Sequence, residues 1–525
     1  MFQHIHKVYL VSIERLKIKD AAMQGRRHFL KFSATAALGG LAVTIPQVNA
    51  SECSAIKWDQ SIDYIIVGSG FAGLSAALNT KRAMKGSILV LEKMQVIGGN
   101  SAINGGWLAI PKSPTQLAQG IMDDSPRELV KDQMISGRGM ANEAALTQIA
   151  EHALDVYNLC IESGVEFKKD FNIQVGGHNK ARALRTIHGT GGDITTKLYE
   201  VGVKEGIEYR LQHYIEDFIM DGQQVIGLKV RQNYRFPNIK TGKSIYIKAN
   251  KGVILAAGGF ARNMELRAAV DPSLDPTLDC TNALGATGEI MLTAMAHGAL
   301  PVHMNLIQTG HWGSPDEGGF GWSNALLSIG WHKGVSISVL NGKRFMNERA
   351  DRKTCSEAIL KNRNADGTPA YPIVFFNYND HADDDRVTRS LRDKMAWKID
   401  SFEALAKQFN IPLNELKASV TRFNQQVVTK TDPDFGRVMD TAVELKPPFV
   451  VSRIWPKVHY CMGGLKTDLA GRVLDARSMS PIKHLYAIGE LTGGVHGEAR
   501  LSSTSCLECL AMGIVISKTI GVDQA

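Results

Sequence analysis

The 525-residue sequence lacks a cysteine framework: its seven cysteines are odd in number and scattered, which excludes a fold stapled by disulfides. No C-x-x-C-H occurs anywhere, so covalent haem attachment is excluded. Internal repeats are absent, as are low-complexity tracts beyond residue 50. Charge of one sign is also scarce. The formal net charge is +8, but the first 50 residues hold seven Lys/Arg against two acids, and the remaining 53 basic and 50 acidic residues leave only +3. That balance gives no electrostatic footing for a nucleic-acid partner. What remains is an ordinary globular composition, 44% hydrophobic and 21% charged, in a chain long enough for two or three domains.

The basic excess sits in a leader. Arg26-Arg27-His28-Phe29-Leu30-Lys31 precedes an uncharged stretch from Phe32 to Ile45, and Val48-Asn49-Ala50 has the small residues of a cleavage site. The pattern resembles a twin-arginine export signal over residues 1–50, with the mature chain starting at Ser51 in the periplasm. The uncharged stretch falls short of the roughly 20 strongly apolar residues of a resident membrane helix, and no stable membrane span is expected in the mature protein. Twin-arginine export carries folded proteins, which suits a chain that binds its cofactor before export.

Beyond the leader, Ile62–Val67 is a β-branched run typical of a buried parallel strand. Gly68-Ser-Gly70-Phe-Ala-Gly73 ends it, a helical stretch follows from Leu74 to about Arg82, and Ile88–Leu91 forms a second strand closing on Glu92. Glycines at 68, 70 and 73 allow a tight turn, close approach to a pyrophosphate and packing of helix on strand. An acid about 20 residues further on meets a ribose hydroxyl. Lys93, Gly98-Gly99-Asn100-Ser101 and Gly105-Gly106 extend a glycine-rich loop suited to run along a pyrophosphate and a flavin ring, which favours FAD over NAD. Ala256-Ala257-Gly258-Gly259 and Ala487-Ile488-Gly489-Glu490 point the same way. The spacing also predicts amphipathic helices over 120–170, a hairpin turned at Asp221-Gly222, and buried strands near 251–258 and 484–488. Cys506 and Cys509 read as two cysteines on a buried helix face.

On these motifs the chain resembles the soluble fumarate reductase and flavocytochrome c family, relatives of the succinate dehydrogenase flavoprotein. The family's haem domain is missing. The most specific pieces are Gly98-Gly-Asn-Ser101, Lys343-Arg-Phe-Met-Asn-Glu348, His459-Tyr-Cys-Met-Gly-Gly464, Gly489-Glu-Leu-Thr-Gly-Gly494 and Val495-His-Gly-Glu-Ala-Arg-Leu501. The resemblance implies an α/β fold, an FAD-binding Rossmann-like domain with an inserted α+β capping domain. The boundaries read as FAD domain over 51–303 and 460–525, and cap over 304–459.

It also implies a reaction: hydride transfer from reduced FAD to the C=C bond of an α,β-unsaturated carboxylate, with electrons from a separate cytochrome c. Arg500 matches the family's carboxylate-binding arginine and His459 the histidine that assists it. The family's proton-donating arginine falls by spacing on Arg352, with Arg349 as competitor. His311 corresponds to a histidine for a far carboxylate. Ile215 is assigned a backbone contact to adenine, Tyr460 a place beside the flavin, and Ser505 and Cys506 the last FAD contacts. One departure stands out: where the family has a Thr-Glu-x-x-Arg proton relay, this sequence has Leu327-Ser328-Ile329-Gly330-Trp331. The relay is therefore altered, with Ser328 and His332 as replacement candidates. Trp107, Trp312, Trp322 and Trp331 read either as core packing or as an aromatic pocket favouring a monocarboxylate such as acrylate, methacrylate, cinnamate or urocanate over fumarate. Two alternatives stay open: a ketosteroid-type flavin dehydrogenase, and an electron-transfer flavoprotein without its own substrate. No metal site is expected.

Overall fold

The structure, a computed structural model, describes residues 56–523 except Asp170, Ser273, Pro276 and Thr277, so the leader and its cleavage site lie outside the described residues. Strand β1 (Gln60–Val67) is buried throughout its last four residues, as an apolar run with no polar face requires. Gly68 turns the chain at φ +104°, and a Cβ there would lie 2.5 Å from the Ala256 carbonyl oxygen. Helix α1 (Phe71–Ala83) starts directly behind this turn. It approaches β1 so closely at Gly73 that a Cβ would sit 2.0 Å from the Gly68 carbonyl oxygen. Strand β2 (Ile88–Leu91) then pairs parallel to β1, Tyr64 opposite Ile88 and Val67 opposite Leu91.

Helices α2 (Pro126–Ser136), α3 (Glu143–Glu151) and α4 (Ala153–Glu162) follow, the first two capped by Ser125 and Asn142. Helix α5 (Gly192–Lys204) leads into the edge strand β3 (Glu208–Arg210). Strands β4 (His213–Asp221) and β5 (Gln224–Gln232) form the hairpin at Asp221-Gly222, and β6 (Lys243–Leu255) returns along β1.

Residues further on build a second, smaller sheet. Strand β7 (Ile307–Gly310) and helix α6 (Ser323–Lys333) precede β8 (Val335–Ile337), and helix α7 (Arg352–Leu360) precedes β9 (Ile373–Asn377). With β10 (Trp397–Ile399) and β11 (Phe449–Arg453), these give a four-stranded antiparallel sheet ordered β8-β9-β11-β10. It has its own core, including Ile337, Phe375, Leu416, Phe423 and Phe449. The chain leaves it along β12 (Lys457–Cys461), which pairs with β7. It then completes the first sheet with β13 (Arg472–Leu474) and β14 (Pro481–Ala487). That eight-stranded sheet runs β13-β14-β5-β6-β1-β2-β3, with β4 on β5, and β14 also lies parallel to the end of β6.

The last helix, α8 (Thr504–Asp523), is long and apolar enough to cross a membrane by length and composition, yet 61% of its apolar window is buried inside the fold. Its Leu510 carbonyl accepts from Ser75 Oγ of α1 at 2.7 Å, which marks it as a core helix. Cys506 and Cys509 sit at its start, half-buried and free.

The Lys343–Glu348 motif turns out to be structural. Glu348, 1% exposed, receives Arg344 at 2.7 Å and Arg437 at 2.9 Å. It also accepts the Ser336 amide at 3.0 Å, and Asp432 takes the remaining charge of Arg344 at 2.9 Å. Removing one member of such a network leaves buried charge uncompensated. Glu348→Ala is therefore expected to lower stability by about 3–5 kcal/mol, measured as a shift in the denaturant midpoint of the FAD-loaded protein. A loss below about 1 kcal/mol would contradict a structural role.

Candidate active site

The carboxyl ends of β1, β2, β6 and β14 open onto a cleft of about 1020 Å³, where ligands of open α/β sheets bind. Gly68, Gly70, Glu92, Lys93, Gly99, Asn100, Ser101, Ile215, Gly258 and Glu490 all line it. Helix α1 begins there at Gly70, which has no side chain to cap it; the Phe71 amide donates to Ser101 Oγ at 2.9 Å, and the other first-turn amides are left for an anion. Glu92 is fixed by Ser69, whose amide and hydroxyl reach Oε2 at 3.1 and 2.6 Å, and by the Met94 amide on Oε1 at 2.9 Å. Lys93 is held by Glu289 at 2.7 Å. An uncapped helix N-terminus with a rigid acid at the tip of β2 fits the phosphates and ribose of a dinucleotide.

Not every glycine assigned to this cleft lines it. Gly73 serves the packing of α1 on β1 instead. Gly105 and Gly106 lie outside the lining, and a Cβ on Gly106 would come within 2.2 Å of Thr186 Oγ1, so a tight turn explains that glycine.

The cleft continues into a chamber of about 560 Å³ that shares Phe71, Asn100, Ser101, Glu490 and Cys509 with it. His459, Tyr460, Arg500, Ser505 and Cys506 line this chamber. Burial pushes the Glu490 carboxyl up to about 7. Arg500 also borders a third cavity of about 1780 Å³, together with Arg352, His311, Trp107, Trp312 and Trp331. Arg500 comes from the loop before α8, and Arg352 is the first residue of α7, behind its N-cap Asp351. The site thus lies where the two sheets' elements meet.

Within it, Arg500 is 4% exposed, donates to the Leu501 carbonyl at 2.8 Å and stacks 4.6 Å from the Tyr460 ring centre. Arg352 donates from Nη2 to Ser502 Oγ at 2.8 Å and lies 4.4 Å over the Trp312 ring. Arg500 Nε and Arg352 Nη1 have no hydrogen-bond partner, and neither guanidinium meets a carboxylate among the described residues. Arg349, the competitor, is paired with Asp440. Burial and the Arg500 charge lower the Arg352 guanidinium well below its usual range. The same surroundings hold His459 neutral, through burial and both arginines, and burial with Arg352 pushes His311 down to about 3.

An aromatic ladder closes one wall. Ring centres lie 5.0 Å apart for His459 and Trp312, 5.1 Å for Trp312 and His311, and 4.0 Å for His311 and Trp331. The indole N–H groups of Trp312 and Trp331 are buried without a hydrogen-bond partner. Trp322 stands apart, stacked by Arg389 at 4.3 Å. Of the relay candidates, Ser328 donates to the Ala325 carbonyl at 2.8 Å, and His332 lines the cavity. Sequence reasoning missed three residues: Thr281, whose hydroxyl meets His459 Nδ1 at 2.7 Å, Ser502, and His178 behind it. Thr281 lies far from every glycine motif and carried no signal. Ser502 stands three residues before Ser505, the one serine of that run the sequence singled out.

A dinucleotide cleft leading to a cavity with two unpaired buried cations defines a flavin-dependent enzyme for an anionic substrate. The family model described as FAD binding domain matches residues 63–506, and the chain belongs to that family, among its fumarate reductase-type flavoproteins. It is 42% identical over 498 residues to the acrylate reductase flavoprotein subunit of Shewanella woodyi, covering 94% of this chain and 98% of that protein. It is 30% identical over 469 residues to the urocanate reductase of Eggerthella lenta, covering 86% of this chain and 73% of that one. The solved open conformation of a flavocytochrome c3 fumarate reductase superposes with a TM-score of 0.73 at 26% identity, over 90% of this chain and 80% of that one. The chain is an FAD-dependent oxidoreductase acting on carbon–carbon double bonds.

Two outcomes follow from the electrostatics. Replacing an unpaired buried charge by an apolar side chain of similar length removes a desolvation cost, so Arg352→Met should leave the melting temperature of the FAD-loaded protein unchanged or raised. A loss of more than about 2 kcal/mol would show that the guanidinium is a structural brace. His311 is depressed from 6.5 to about 3, so the unfolded chain takes up a proton first as pH falls. Its contribution is intact above pH 6.5 and drains away towards pH 3. Unfolding free energy followed between pH 7 and 4 should fall less steeply for His311→Phe than for the parent.

Proposed function

We propose that this protein reduces the C=C bond of a short monocarboxylic enoate, with acrylate as the first candidate. It would act in the periplasm after twin-arginine export, with electrons from a separate cytochrome c. The observation that carries the substrate reading is the pair of buried guanidinium groups, Arg500 and Arg352, unpaired by any carboxylate among the described residues. A cavity built this way asks for an anion. That argues against ketosteroid-type dehydrogenation, whose substrate is neutral, and against a carrier with no substrate. The name of the Shewanella woodyi relative supports acrylate, and its designation as a subunit supports a partner that delivers electrons.

Bound FAD in its reduced form supplies the hydride. The chain's own residues do the rest. Arg500 holds the carboxylate with the guanidinium edge that carries the unpartnered Nε, since a planar guanidinium can grip two oxygens with two of its N–H groups. His459 assists as a neutral ring, oriented by the 2.7 Å contact between its Nδ1 and Thr281 Oγ1. As negative charge builds on the substrate, these fixed donors stabilise it without reorganising. Arg352 gives a proton from Nη1 to the carbon next to the carboxylate. Its acidity is raised by burial and by the Arg500 charge. The ladder from His459 to Trp331 offers no cation to a second carboxylate, which favours a monocarboxylate over fumarate.

The test is a screen of enoates against the FAD-loaded protein with reduced methyl viologen. Acrylate is expected to turn over and fumarate to be poor, and a protein inert to every enoate would refute the reading. Arg500→Ala should raise KM and lower kcat together, because the contact strengthens as charge develops. Arg352→Ala should retain FAD absorbance while losing on the order of 100-fold or more in kcat.

A further inference from the structure

We propose that Ser502 is a positioning residue that aims Arg352 at the substrate while leaving its charge unpaired, and that His178 is the strut holding Ser502 in place. The inference rests on the reading of Arg352 as proton donor and adds what orients it. Arg352 Nη2 donates to Ser502 Oγ at 2.8 Å, and Trp312 covers one face of the guanidinium. These two contacts fix its plane, and Nη1, on a residue that lines the cavity, is left without a partner. The adjacent carboxylate, Asp351, is occupied elsewhere. Its Oδ1 caps α7 by accepting the Lys353 and Thr354 amides at 3.0 and 3.1 Å, and Arg138 approaches it at 3.4 Å.

A chain of buried groups fixes Ser502 from behind. His178 is 4% exposed, with Nδ1 3.0 Å from Arg182 Nη1 and Nε2 2.8 Å from the Ser502 carbonyl. Arginine only donates, so Nδ1 accepts and Nε2–H donates to that carbonyl. The tautomer is thereby set. Arg182, itself fully buried, is locked by Asp124 at 2.8 Å and Asp132 at 2.5 Å. The lowering of His178 to about 4 by burial agrees with a neutral ring.

The choice of a hydroxyl matters chemically. A carboxylate at this place would aim Arg352 equally well, but it would stabilise the charged guanidinium and hold back the proton. A hydroxyl accepts one N–H and adds no charge. Arg352 can therefore be oriented and remain a stronger acid than a salt-bridged arginine.

The experiment measures acrylate reduction by FAD-loaded Ser502→Ala and Ser502→Thr in H2O and D2O. Ser502→Ala is expected to lose on the order of 100-fold in kcat through misaiming. Its KM should stay within about threefold, since Arg500 and His459 still hold the carboxylate, and its solvent isotope effect on kcat should rise as proton transfer becomes limiting. Ser502→Thr should recover most of the rate. The proposal is overturned if Ser502→Ala keeps kcat within about threefold of the parent. It is equally overturned if the rate falls with lost FAD, raised KM or an unchanged isotope effect, or if threonine fails to rescue. Failure of the parent protein itself to reduce acrylate or any other enoate would refute the substrate reading instead, which keeps the two failures distinguishable.

Discussion

Two positive charges that no carboxylate among the described residues pairs directly, Arg500 buried and Arg352 half-buried, are the constraint around which this site is organised. Three other arginines with buried side chains are neutralised by carboxylates, Arg182 by Asp124 and Asp132, Arg344 and Arg437 by Glu348. The direct contacts of Arg352 and Arg500 are neutral, a serine hydroxyl, a backbone carbonyl and two aromatic faces, and the Glu490 carboxyl, which acts on Arg500 through space, is itself pushed up to about 7 by burial. Each of these contacts satisfies geometry without satisfying charge. Desolvating an ion costs several kcal/mol, and on the reading proposed for this protein an anionic substrate offsets it.

The fold makes this state persist by drawing the two arginines from rigid but separate places. Arg500 precedes α8, a helix clamped to α1 through Ser75. Arg352 opens α7, four residues after Glu348, whose ion-pair network anchors the segment to the smaller sheet. Neither can swing away to find a carboxylate. The histidines nearby complete the electrostatics by abstaining: His311 and His459 are held neutral by burial and by the arginines themselves. The two imidazoles therefore add no positive charge of their own to the pocket.

The first sheet was legible because its signals are local. A β-branched run, a glycine turn and an acid at fixed spacing appear contiguously in Ile62–Glu92, and β1, α1 and β2 form where that pattern puts them. Glycine's reason for being present was less legible. Gly106 answers to Thr186, 80 positions away in sequence, and a run of glycines does not say which of them faces a ligand. At the site, resemblance to a family located Arg352, His459 and Arg500, which the structure gathers around adjoining cavities. Their partners were not readable. Thr281 and His178 come from segments with no chemistry of their own in the sequence, and they matter only through contacts 178 and 324 residues long. The Lys343–Glu348 motif shows the converse: a highly specific pattern whose charges hold the fold.

The aromatic ladder links these electrostatics to specificity. Indole and imidazole rings packed edge-on and tilted from His459 to Trp331 wall one side of the cavity, and a low-dielectric wall strengthens every charge interaction beside it. The wall that makes Arg352 a better acid is thus the same wall that a substrate's distal end must face. A hydrogen or methyl group there displaces water at little cost. A second carboxylate would surrender its hydration for two indole N–H donors and a neutral imidazole, a poor exchange for a full charge. On the reading proposed for this protein, acid strength and preference for a monoanion are therefore one property of the cavity, and a substitution that opens the ladder to water should weaken both together.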